Sequence, residues 1–393
     1  MSRRSLRVFM MDLLATVPYY SAYLSKALLA EELDLTLGSV SYYLDRTCFS
    51  VRGISVHPGC LDLVSKCGLP RSMRRPLKLL ETLINQSVLA VRFLFSPPDV
   101  LHVQTLPMLT WSTPFDLWFV LWCRVRGIKI VLTVHDLLPH DTGQKHKAKF
   151  FKLYHSVDWI ICHSDYIRDS LVAEFLAKRE RISVIPHGPL FYDLMQLTTQ
   201  NAPAVEKSAP GVVHFLWQGI IHPYKGVDLL LDAWQRVEAL GCAHQLVVAG
   251  TGPVEEMRRI RQQVESLNLK NVVLKLEFVS AVELVQLYRD ADIVVYPYRA
   301  ITTSGALATG LALGKAIVAS DIPVFRELLV DHNNALLVDL RRPDDLAKAL
   351  VELAENPSLR KRLVRSVQEM NFGERTWTSI ARKTVETYRQ ALA

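Results

Sequence analysis

The chain has 393 residues, half of them hydrophobic and 22% of them charged. A single hydrophobic core rarely grows beyond about 250–300 residues, so this length predicts two domains. No apolar run approaches the ~18–20 residues that a membrane-spanning helix needs, and the basic N-terminus lacks a small-residue cleavage site. We therefore expect neither a spanning segment nor a signal peptide.

The net charge of +7 is unevenly distributed. Residues 1–200 hold 23 Lys and Arg against 17 Asp and Glu, whereas the remainder holds 23 against 22. This balance predicts an anionic surface or substrate for the N-terminal half. The basic residues belong to no nucleic-acid recognition motif, so no nucleic-acid partner is expected. Six scattered cysteines without a CxxC pair indicate reduced thiols and a cytoplasmic protein, with no zinc site or disulfide framework.

Strands and helices alternate through the N-terminal half. Short apolar runs predict strands at Leu6–Met11, Leu35–Tyr43, Val100–Val103, Ile128–Val134, Trp159–Cys162 and Ile182–Ile185. Helical patterns lie between them at Tyr19–Leu33, 76–95, Pro114–Arg126, Lys145–His155 and Asp165–Ala177. This alternation predicts parallel βαβ units.

Residues 198–211 are small, polar and proline-bearing, which predicts an interdomain linker. The alternation then resumes with predicted strands at Val213–Trp217, Gln245–Ala249, Val272–Leu276, Ile293–Tyr296, Ala316–Ala319 and Ala335–Val338. Predicted helices are Val227–Leu240, Val254–Leu267, Ala281–Arg289, Ala306–Leu313, 343–354, 358–370 and 376–392.

The predicted fold class is therefore α/β, with two Rossmann-like, doubly wound parallel sheets that face each other across a cleft. The N-terminal domain is expected to span residues 1–197 and the C-terminal domain residues 212–375. The helix at 376–393 is expected to pack back on the N-terminal domain. Sheets of this kind bind ligands beyond the carboxyl ends of their strands.

Three loops at predicted strand ends in the C-terminal half carry groups suited to an anion. They are Trp217–Gly226 with Lys225, Ala249–Pro253, and Pro297–Gly305 with Arg299. The last loop leads into a predicted helix start at Ser304 and Gly305, where backbone N–H groups and the helix dipole favour negative charge. Together the loops predict a diphosphate site; the alternative for the last loop is an ordinary crossover with a solvated arginine. There is no Walker lysine motif and no GxGxxG with a downstream acid, which disfavours an ATPase or a dehydrogenase.

These motifs resemble the retaining GT-B glycosyltransferases of family 4 over about the whole chain. In the C-terminal half the resemblance rests on GxxxxxKG (219–226), AGTGP (249–253), FVS (278–280), ADIVVYP (291–297) and ALGKAIVASD (312–321) followed by Glu327. In the N-terminal half it rests on TVHD (133–136) and the segment 157–188, with HSDY and VIPHG. The resemblance implies a donor-binding C-terminal domain and an acceptor-binding N-terminal domain.

The sequence departs from the common family pattern at its acid-x7-acid pair. By register with Gly314 and Lys315, the two acids correspond to Ile301 and Thr309. The family's arginine after the first glycine is Ile220, and its Gly-Gly loop is replaced by 15–20. A branch of the family instead carries motifs that match PYKG (223–226), PYR (297–299), TTSG (302–305) and LLPHD (137–141), so the missing acids are interpreted as a subgroup trait.

The resemblance implies three sets of site residues. The catalytic set is His135, Lys225 and Arg299; the donor-binding set is Gly219, His222, Gly250, Phe278, Val279, Tyr298, Thr303, Ser304, Gly305 and Glu327. The acceptor-binding set is Tyr19, Tyr20, His140 and Asp141. Alternatives remain for His135 as a capping or core histidine and for His140 and Asp141 as a solvated loop, while His187 is expected to be structural.

The implied function is transfer of a hexose from a UDP- or GDP-sugar to a glycan or lipid-linked acceptor, in bacterial exopolysaccharide or glycolipid assembly. No metal or other cofactor is expected, because two fixed cations can neutralise the diphosphate. Two alternatives are a catalytically inert partner subunit with the same fold and a nucleotide-sugar epimerase.

The helix predicted at 76–95 carries an apolar stripe on one side and polar residues on the other. The stripe comprises Leu80, Leu83, Ile84, Val88, Val91 and Phe95; the other side carries Lys78, Glu81, Asn85 and Arg92. One interpretation is that the stripe packs on the sheet. The other is peripheral docking of residues 71–95 on an anionic membrane or a diphosphate lipid, because Arg71, Arg74 and Arg75 crowd a helix N-terminus.

Overall fold

The computed structural model describes residues 5–67, 71–111, 113–139, 143–191, 211–241 and 244–393. The chain divides into two compact units. Unit 1 consists of Met1–Gly188 and Gly373–Ala393, and unit 2 is Pro189–Phe372. The predicted linker 198–211 lies outside the described residues except for Gly211.

Unit 1 contains a six-stranded parallel sheet in the order β2-β1-β3-β4-β5-β6. Its strands are β1 (Arg7–Asp12), β2 (Asp34–Ser39), β3 (Val100–Val103), β4 (Lys129–Val134), β5 (Trp159–Cys162) and β6 (Ile182–Val184). Its helices among the described residues are α1 (Pro18–Leu28), α2 (Arg71–Phe95), α3 (Phe115–Val125), α4 (Lys147–Ser156), α5 (Asp165–Phe175) and, at the C-terminus, α13 (Trp377–Leu392). Helix α13 buries Ile380, Val385 and Tyr388 in a core shared with β1, β4 and β5.

Unit 2 repeats this architecture with the strand order β12-β11-β10-β7-β8-β9. Its strands are β7 (His214–Gln218), β8 (Gln245–Ala249), β9 (Val272–Lys275), β10 (Ile293–Tyr296), β11 (Ala316–Ser320) and β12 (Leu336–Val338). Its described helices are α6 (Val227–Glu238), α7 (Val254–Ser266), α8 (Ala281–Asp290), α9 (Gly305–Ala312), α10 (Pro323–Arg326), α11 (Pro343–Glu355) and α12 (Pro357–Gln368). The predicted α/β class with two doubly wound parallel sheets is thus confirmed.

Helix α2 differs from its prediction in extent and in orientation. It begins at Arg71 rather than at Pro76, which lies inside the helix. Its inward face carries Glu81 and Asn85, both buried, whereas members of the apolar stripe such as Leu80 and Phe95 are exposed. The interpretation that this helix packs on the sheet is confirmed, but the packing uses Leu89 and Phe93, whereas Leu80, Val91 and Phe95 of the stripe are exposed.

Candidate functional site

In unit 2, the three anion-suited loops meet at one edge of the sheet. They follow β7, β8 and β10, which are neighbouring parallel strands. Backbone hydrogen bonds join them: Gly219 N–H donates to Ala249 O (3.1 Å), Ile221 N–H donates to Thr251 O (2.8 Å), and Arg299 N–H donates to Tyr224 O (2.7 Å). Because their strands are neighbours in the sheet, the three loops lie together although they are far apart in the sequence.

Two glycines allow these loops to approach so closely. Gly226 has a φ of 65°, and a Cβ there would lie 1.9 Å from Pro297 O. Gly250 has a φ of 146°, and a Cβ there would lie 1.8 Å from Gly219 O. A side chain at either position would displace a backbone and strain a left-handed conformation.

Lys225 is held at the centre of this edge. It ends a short 3-10 turn, Pro223–Lys225, and its carbonyl accepts a hydrogen bond from Trp217 Nε1 (3.3 Å). Its Nζ lies 5.5 Å from the ring centroid of Tyr298, and a Cβ on Gly219 would lie 2.9 Å from that Nζ. The ammonium group is therefore placed beside the Gly219 backbone and over a buried aromatic ring.

Arg299 lies in the neighbouring loop but is bound to a carboxylate. Its guanidinium donates to Asp228 Oδ1 (2.8 Å) and Oδ2 (2.5 Å), and also to Pro223 O (2.6 Å). The hydrogen bond with Asp228 raises the pKa of Arg299. The sequence analysis missed Asp228, since it lies 71 residues away and no local pattern links it to Arg299. The ion pair fixes the 223–225 turn that carries Lys225.

The predicted helix start at Ser304 is confirmed. Ser304 is the N-cap of α9, and its Oγ accepts a hydrogen bond from Leu307 N–H (3.1 Å). The N–H groups of Gly305 and Ala306 belong to the first turn, which has no intrahelical acceptors, and they lie at the positive end of the helix dipole. Tyr298 is fully buried beside them, and burial raises its pKa, so it is a neutral phenol at physiological pH.

Thr309 occupies one of the two positions where the common family pattern has an acid, and it is buried. Its hydroxyl donates to Leu190 O (3.1 Å) or to Gly305 O (2.8 Å), and it accepts from Leu190 N–H (3.0 Å). Ile301, at the other position, is half-buried. The Thr309 side chain thus has a structural task in this protein, because it binds the backbone of Leu190.

The remaining donor-set residues lie in unit 2 with different degrees of exposure. The His222 ring stacks on Tyr224 with 5.6 Å between centroids. Phe278 and Val279 are half-buried in the loop that follows β9, and Thr303 is half-buried just before the α9 N-cap. Glu327 is exposed at the end of α10. Their roles stay predictions.

In unit 1, His135 follows β4 and belongs to a cluster of aromatic and imidazole rings. Its Nε2 lies 3.0 Å from Gln104 Oε1, and its Nδ1 lies 3.3 Å from His163 Nε2. Tyr20 packs against it with 4.7 Å between ring centroids, and against His163 and His187 at 5.3 and 5.1 Å. Tyr20 is itself buried, so in this arrangement it supports the imidazoles.

The imidazoles of this cluster are neutral at physiological pH. Burial lowers the pKa of His163 to about 4 and that of His187 to about 3. Burial and the neighbouring His163 lower the pKa of His135 as well. A neutral His163 donates from Nδ1 to Ile185 O (2.9 Å), so its Nε2 is an acceptor for His135 Nδ1–H. Gln104 Oε1 is also an acceptor, and a neutral His135 has a single N–H, so it donates either from Nδ1 to His163 or from Nε2 to Gln104.

Of the acceptor set, Tyr19 donates its hydroxyl to Asp45 Oδ2 (2.9 Å). His140 and Asp141 lie outside the described residues. Asp12, which the sequence analysis did not select, is buried at the end of β1 and accepts from Thr16 N–H (2.8 Å) and Val17 N–H (3.1 Å). It therefore shapes the loop before Tyr19 and Tyr20.

Within the described ranges, no group of three or more His, Cys, Asp or Glu side chains is arranged to hold a metal ion. No helix in the part of the chain that the structure describes is both long enough and apolar enough to cross a membrane.

Both units match known domain families. Residues 44–188, in unit 1, match the model described as Glycosyltransferase Family 4, and residues 213–356, in unit 2, match Glycosyl transferases group 1. A D-inositol 3-phosphate glycosyltransferase of Paenarthrobacter aurescens is 26% identical over 68% of the chain and 68% of that protein. The chain spans about two thirds of the length of the curated relatives it matches.

Solved structures of low sequence identity share the fold. Anabaena HepE in complex with UDP and glucose matches at a TM-score of 0.72 and 15% identity, covering 98% of this chain and 99% of that one. Sucrose-phosphate synthase of Thermosynechococcus elongatus matches at 0.73 and 18% identity, with the same coverage. A UDP-N-acetylglucosamine 2-epimerase also matches, at 0.60, with 15% identity over 98% of this chain and 95% of that one, so the fold alone does not separate transfer from epimerisation. The fold is GT-B, and each of the two units carries a domain that matches a glycosyltransferase family.

Proposed function

We propose that this protein transfers a hexose from a nucleoside diphosphate sugar to a glycan or lipid-linked acceptor, with retention of anomeric configuration. The observation that carries the proposal is the edge of the unit 2 sheet. There Lys225, the Gly219 backbone and the N-terminus of α9 follow neighbouring strands. HepE was solved with UDP and with UDP-glucose, which supports a nucleotide-sugar donor.

The proposed task of this edge is electrostatic. As the bond between the sugar C1 and the phosphate oxygen breaks, negative charge develops on the diphosphate. A preorganised ammonium and first-turn N–H groups stabilise that charge without reorganisation during the reaction. We assign this stabilisation of the diphosphate to Lys225 Nζ and to the N–H groups of Gly305 and Ala306. Arg299 contributes chiefly through its ion pair with Asp228, which holds the Lys225 turn in place.

In the retaining reaction proposed, the acceptor hydroxyl oxygen bonds to C1 on the face that the phosphate leaves. Its proton passes to the leaving phosphate oxygen, so the enzyme needs no carboxylate base. The absence of acids at Ile301 and Thr309 is consistent with this route. His135 is assigned to the catalytic set as a neutral imidazole, because burial lowers its pKa. We expect no metal requirement, because Lys225 and the α9 dipole supply the positive charge.

The setting proposed is bacterial exopolysaccharide or glycolipid assembly on the cytoplasmic side of a membrane, with the protein bound peripherally. The basic surplus of the N-terminal half supports an anionic surface or acceptor for unit 1. The other assigned donor contacts are Gly219, Gly250, Phe278, Val279, Tyr298, Thr303, His222 and Glu327, and Tyr19 and Tyr20 are assigned to the acceptor side.

A ligand screen tests the donor assignment. UDP, GDP and their hexose conjugates are added to the purified protein, and the melting temperature is measured. A ligand at about 100 times its dissociation constant stabilises the protein by about 2.7 kcal/mol. We expect one nucleotide series to raise the melting temperature of the wild type and of Lys348→Ala, an exposed lysine on α11, but much less that of Lys225→Ala. No shift with any nucleotide or conjugate would contradict the proposal.

Product analysis separates the two catalytic alternatives. With a bound donor and an acceptor extract, a transferase releases the nucleoside diphosphate and labels the acceptor, whereas an epimerase returns an altered sugar that is still attached to the nucleotide. A protein that binds the donor and does neither would be the inert subunit.

A further inference from the structure

Helix α2 presents apolar side chains to solvent. Leu80, Val91 and Phe95 are 55%, 56% and 85% exposed. The polar residues of the helix face inward, where Glu81 Oε1 accepts from Leu63 N–H (2.6 Å) and Val64 N–H (3.1 Å). Asn85 binds the same segment through Cys60 N–H, Leu61 N–H and Leu61 O. Leu89 and Phe93 of the same helix are buried in the core, so the inward face of α2 is mixed while its solvent face carries large apolar side chains.

Helix α3 extends this apolar surface. Trp118 and Val125 are 59% and 86% exposed, and α3 packs beside α2. A groove of about 240 Å³ lies between them, lined by Leu83, Ser87 and Ala90 of α2 and by Phe115, Trp118 and Trp122 of α3, among others. Contiguous apolar surface of this kind marks an interaction site on a folded protein. We call the solvent face of these two helices the α2–α3 face.

The exposed charged side chains of α2 and α3 are all basic, although Arg124 Nε lies 3.9 Å from Asp158 Oδ1. The only acidic residues in 71–95 and 113–129 are Glu81 and Asp116, and both are buried. Asp116 accepts from Gln86 Nε2 (2.8 Å) and Met108 N–H (2.8 Å), which turns its charge inward. Arg92 of α2, Arg124 of α3 and Arg126, which caps α3, are exposed. A second copy of the chain would bring like charges together on such a face, which argues against self-association.

Exposed tryptophan, phenylalanine and aliphatic groups with arginines around them fit the boundary between the headgroups and acyl chains of a bilayer. No described helix has the length and apolarity to span it, so the contact is interfacial. A surface whose two helices expose only basic charged side chains matches an anionic leaflet.

We propose that the α2–α3 face docks unit 1 on an anionic phospholipid bilayer, with Val91, Phe95 and Trp118 inserted and the surrounding arginines at the headgroups. This deepens the peripheral association proposed above, on which it rests, and it moves the contact from the N-terminus of α2 to its solvent face. Arg74 and Arg75 already lie 4.8 Å from the Tyr43 ring centroid and 5.1 Å from the Trp111 ring centroid. Arg74 and Arg75 therefore pack on aromatic rings, and lipid is not required to explain their position.

The test is flotation of the full chain with phosphatidylcholine vesicles containing or lacking phosphatidylglycerol, at low and high salt. We expect wild type to float with the anionic vesicles at low salt and to be largely released at high salt. Val91→Ser/Phe95→Ser/Trp118→Ser should lower the partition coefficient about 1,000-fold, at roughly tenfold per inserted side chain. Arg92→Gln/Arg124→Gln/Arg126→Gln should lower it about fivefold per arginine, only on anionic vesicles.

The matched control is Val254→Ser/Val282→Ser/Val330→Ser, which makes the same kind of change at exposed apolar positions of unit 2. It should float like wild type. Failure of wild type to float, or equal flotation of the apolar variant and this control, would overturn the proposal, as would a dimer in solution that the apolar variant abolishes. Nucleotide thermal shift on the same variants reports donor binding separately. A normal shift without flotation would refute the docking surface alone, and flotation without a shift would refute the donor assignment alone.

Discussion

The two units share a strand order and differ in what they place at the carboxyl ends of their strands. In unit 2 these ends carry fixed positive charge and backbone N–H groups, centred on Lys225 and the N-terminus of α9. In unit 1 they carry imidazoles kept neutral by burial, including His163 and His187. The same strand order therefore carries a positively charged edge in unit 2 and a neutral cluster of imidazoles in unit 1.

This difference shows that the scaffold sets where functional groups meet, while burial and neighbours set their charge. A buried imidazole without a carboxylate partner loses its proton, because desolvation disfavours the charged form. A half-buried lysine in a glycine turn retains access to an anion. The predictions below test this contrast, beginning with the largest free-energy change.

Acidification should destabilise unit 1 more than unit 2. Burial holds the pKa of His102, His163 and His187 at about 3, 4 and 3, below the ordinary value of 6.5. For a base with a lowered folded pKa, the unfolded state binds more protons as the pH falls below 6.5, so stability is lost on acidification. Each of these histidines should remove about 2 kcal/mol of unfolding free energy between pH 7 and pH 5.

Asp116 acts in the opposite direction, because burial raises its pKa to about 6. Its protonated form therefore stabilises the folded state at low pH, and this contribution is lost as the pH rises above 6. It should return about 1 kcal/mol at pH 5. Hydrogen exchange, corrected for intrinsic rates and followed by peptide, measures the two units within one sample. His102→Gln should reduce the pH dependence of unit 1 alone. Equal losses of protection in the two units would contradict the expectation that acid destabilises unit 1 more than unit 2.

Glutamate introduced at the two positions where the common family pattern has an acid should change the stability by different amounts. The Thr309 hydroxyl is buried and binds the backbone of Leu190. Thr309→Glu would bury a carboxylate at this place, so we expect the unfolding free energy to fall by roughly 3 kcal/mol or more. Ile301→Glu, at a half-buried loop position, should stay within about 1 kcal/mol of wild type. Denaturant unfolding of both variants measures this, and similar stabilities would show that Thr309 has no structural task.

Removal of the central cation should slow turnover without unfolding the protein. Lys225→Ala is expected to lower kcat by roughly 10²–10³-fold, the scale for one preorganised donor. Lys348→Ala serves as the matched control on the same unit. Wild-type turnover by Lys225→Ala, measured at saturating donor, would remove Lys225 from the catalytic set.

The Arg299–Asp228 pair should behave as one positioning unit. Arg299→Ala is expected to reduce kcat/KM by about tenfold, less than Lys225→Ala, because its charge is already paired. Asp228→Ala should have a similar effect, and the double variant should be no worse than either single variant. Additive effects in this double-mutant cycle would assign Arg299 directly to the diphosphate.

The smallest effect is expected at His163. His163→Asn can keep the hydrogen bond to Ile185 O, but it loses the contact with His135 Nδ1. We expect kcat to fall about threefold to tenfold, the effect of one net hydrogen bond, with KM unchanged. The pH profile of kcat should also shift, since the loss of one of the two acceptors changes the balance between the His135 tautomers. An unchanged profile would reduce His163 to a packing role.

The sequence by itself determined the features that depend on neighbours along the chain. Period-two and continuous apolar runs located the strands, so β8 and β10 have their predicted limits. The Ser304 cap and the Gly314 stop of α9 follow from single-residue preferences. Parallel alternation predicted that the loops after the strands of unit 2 meet at one edge, which placed the Lys225 loop with the Arg299 loop.

Only the tertiary structure decided which partners those residues have. Periodicity defines a stripe on α2 but not which side faces the core, and here the buried backbone N–H groups of Leu63 and Val64 select Glu81 as their acceptor. The Arg299–Asp228 pair spans 71 positions, and the contact that orients His135 through His163 spans 28. Such contacts are non-local, so their geometry and the resulting charge states appear only once the sheet has assembled.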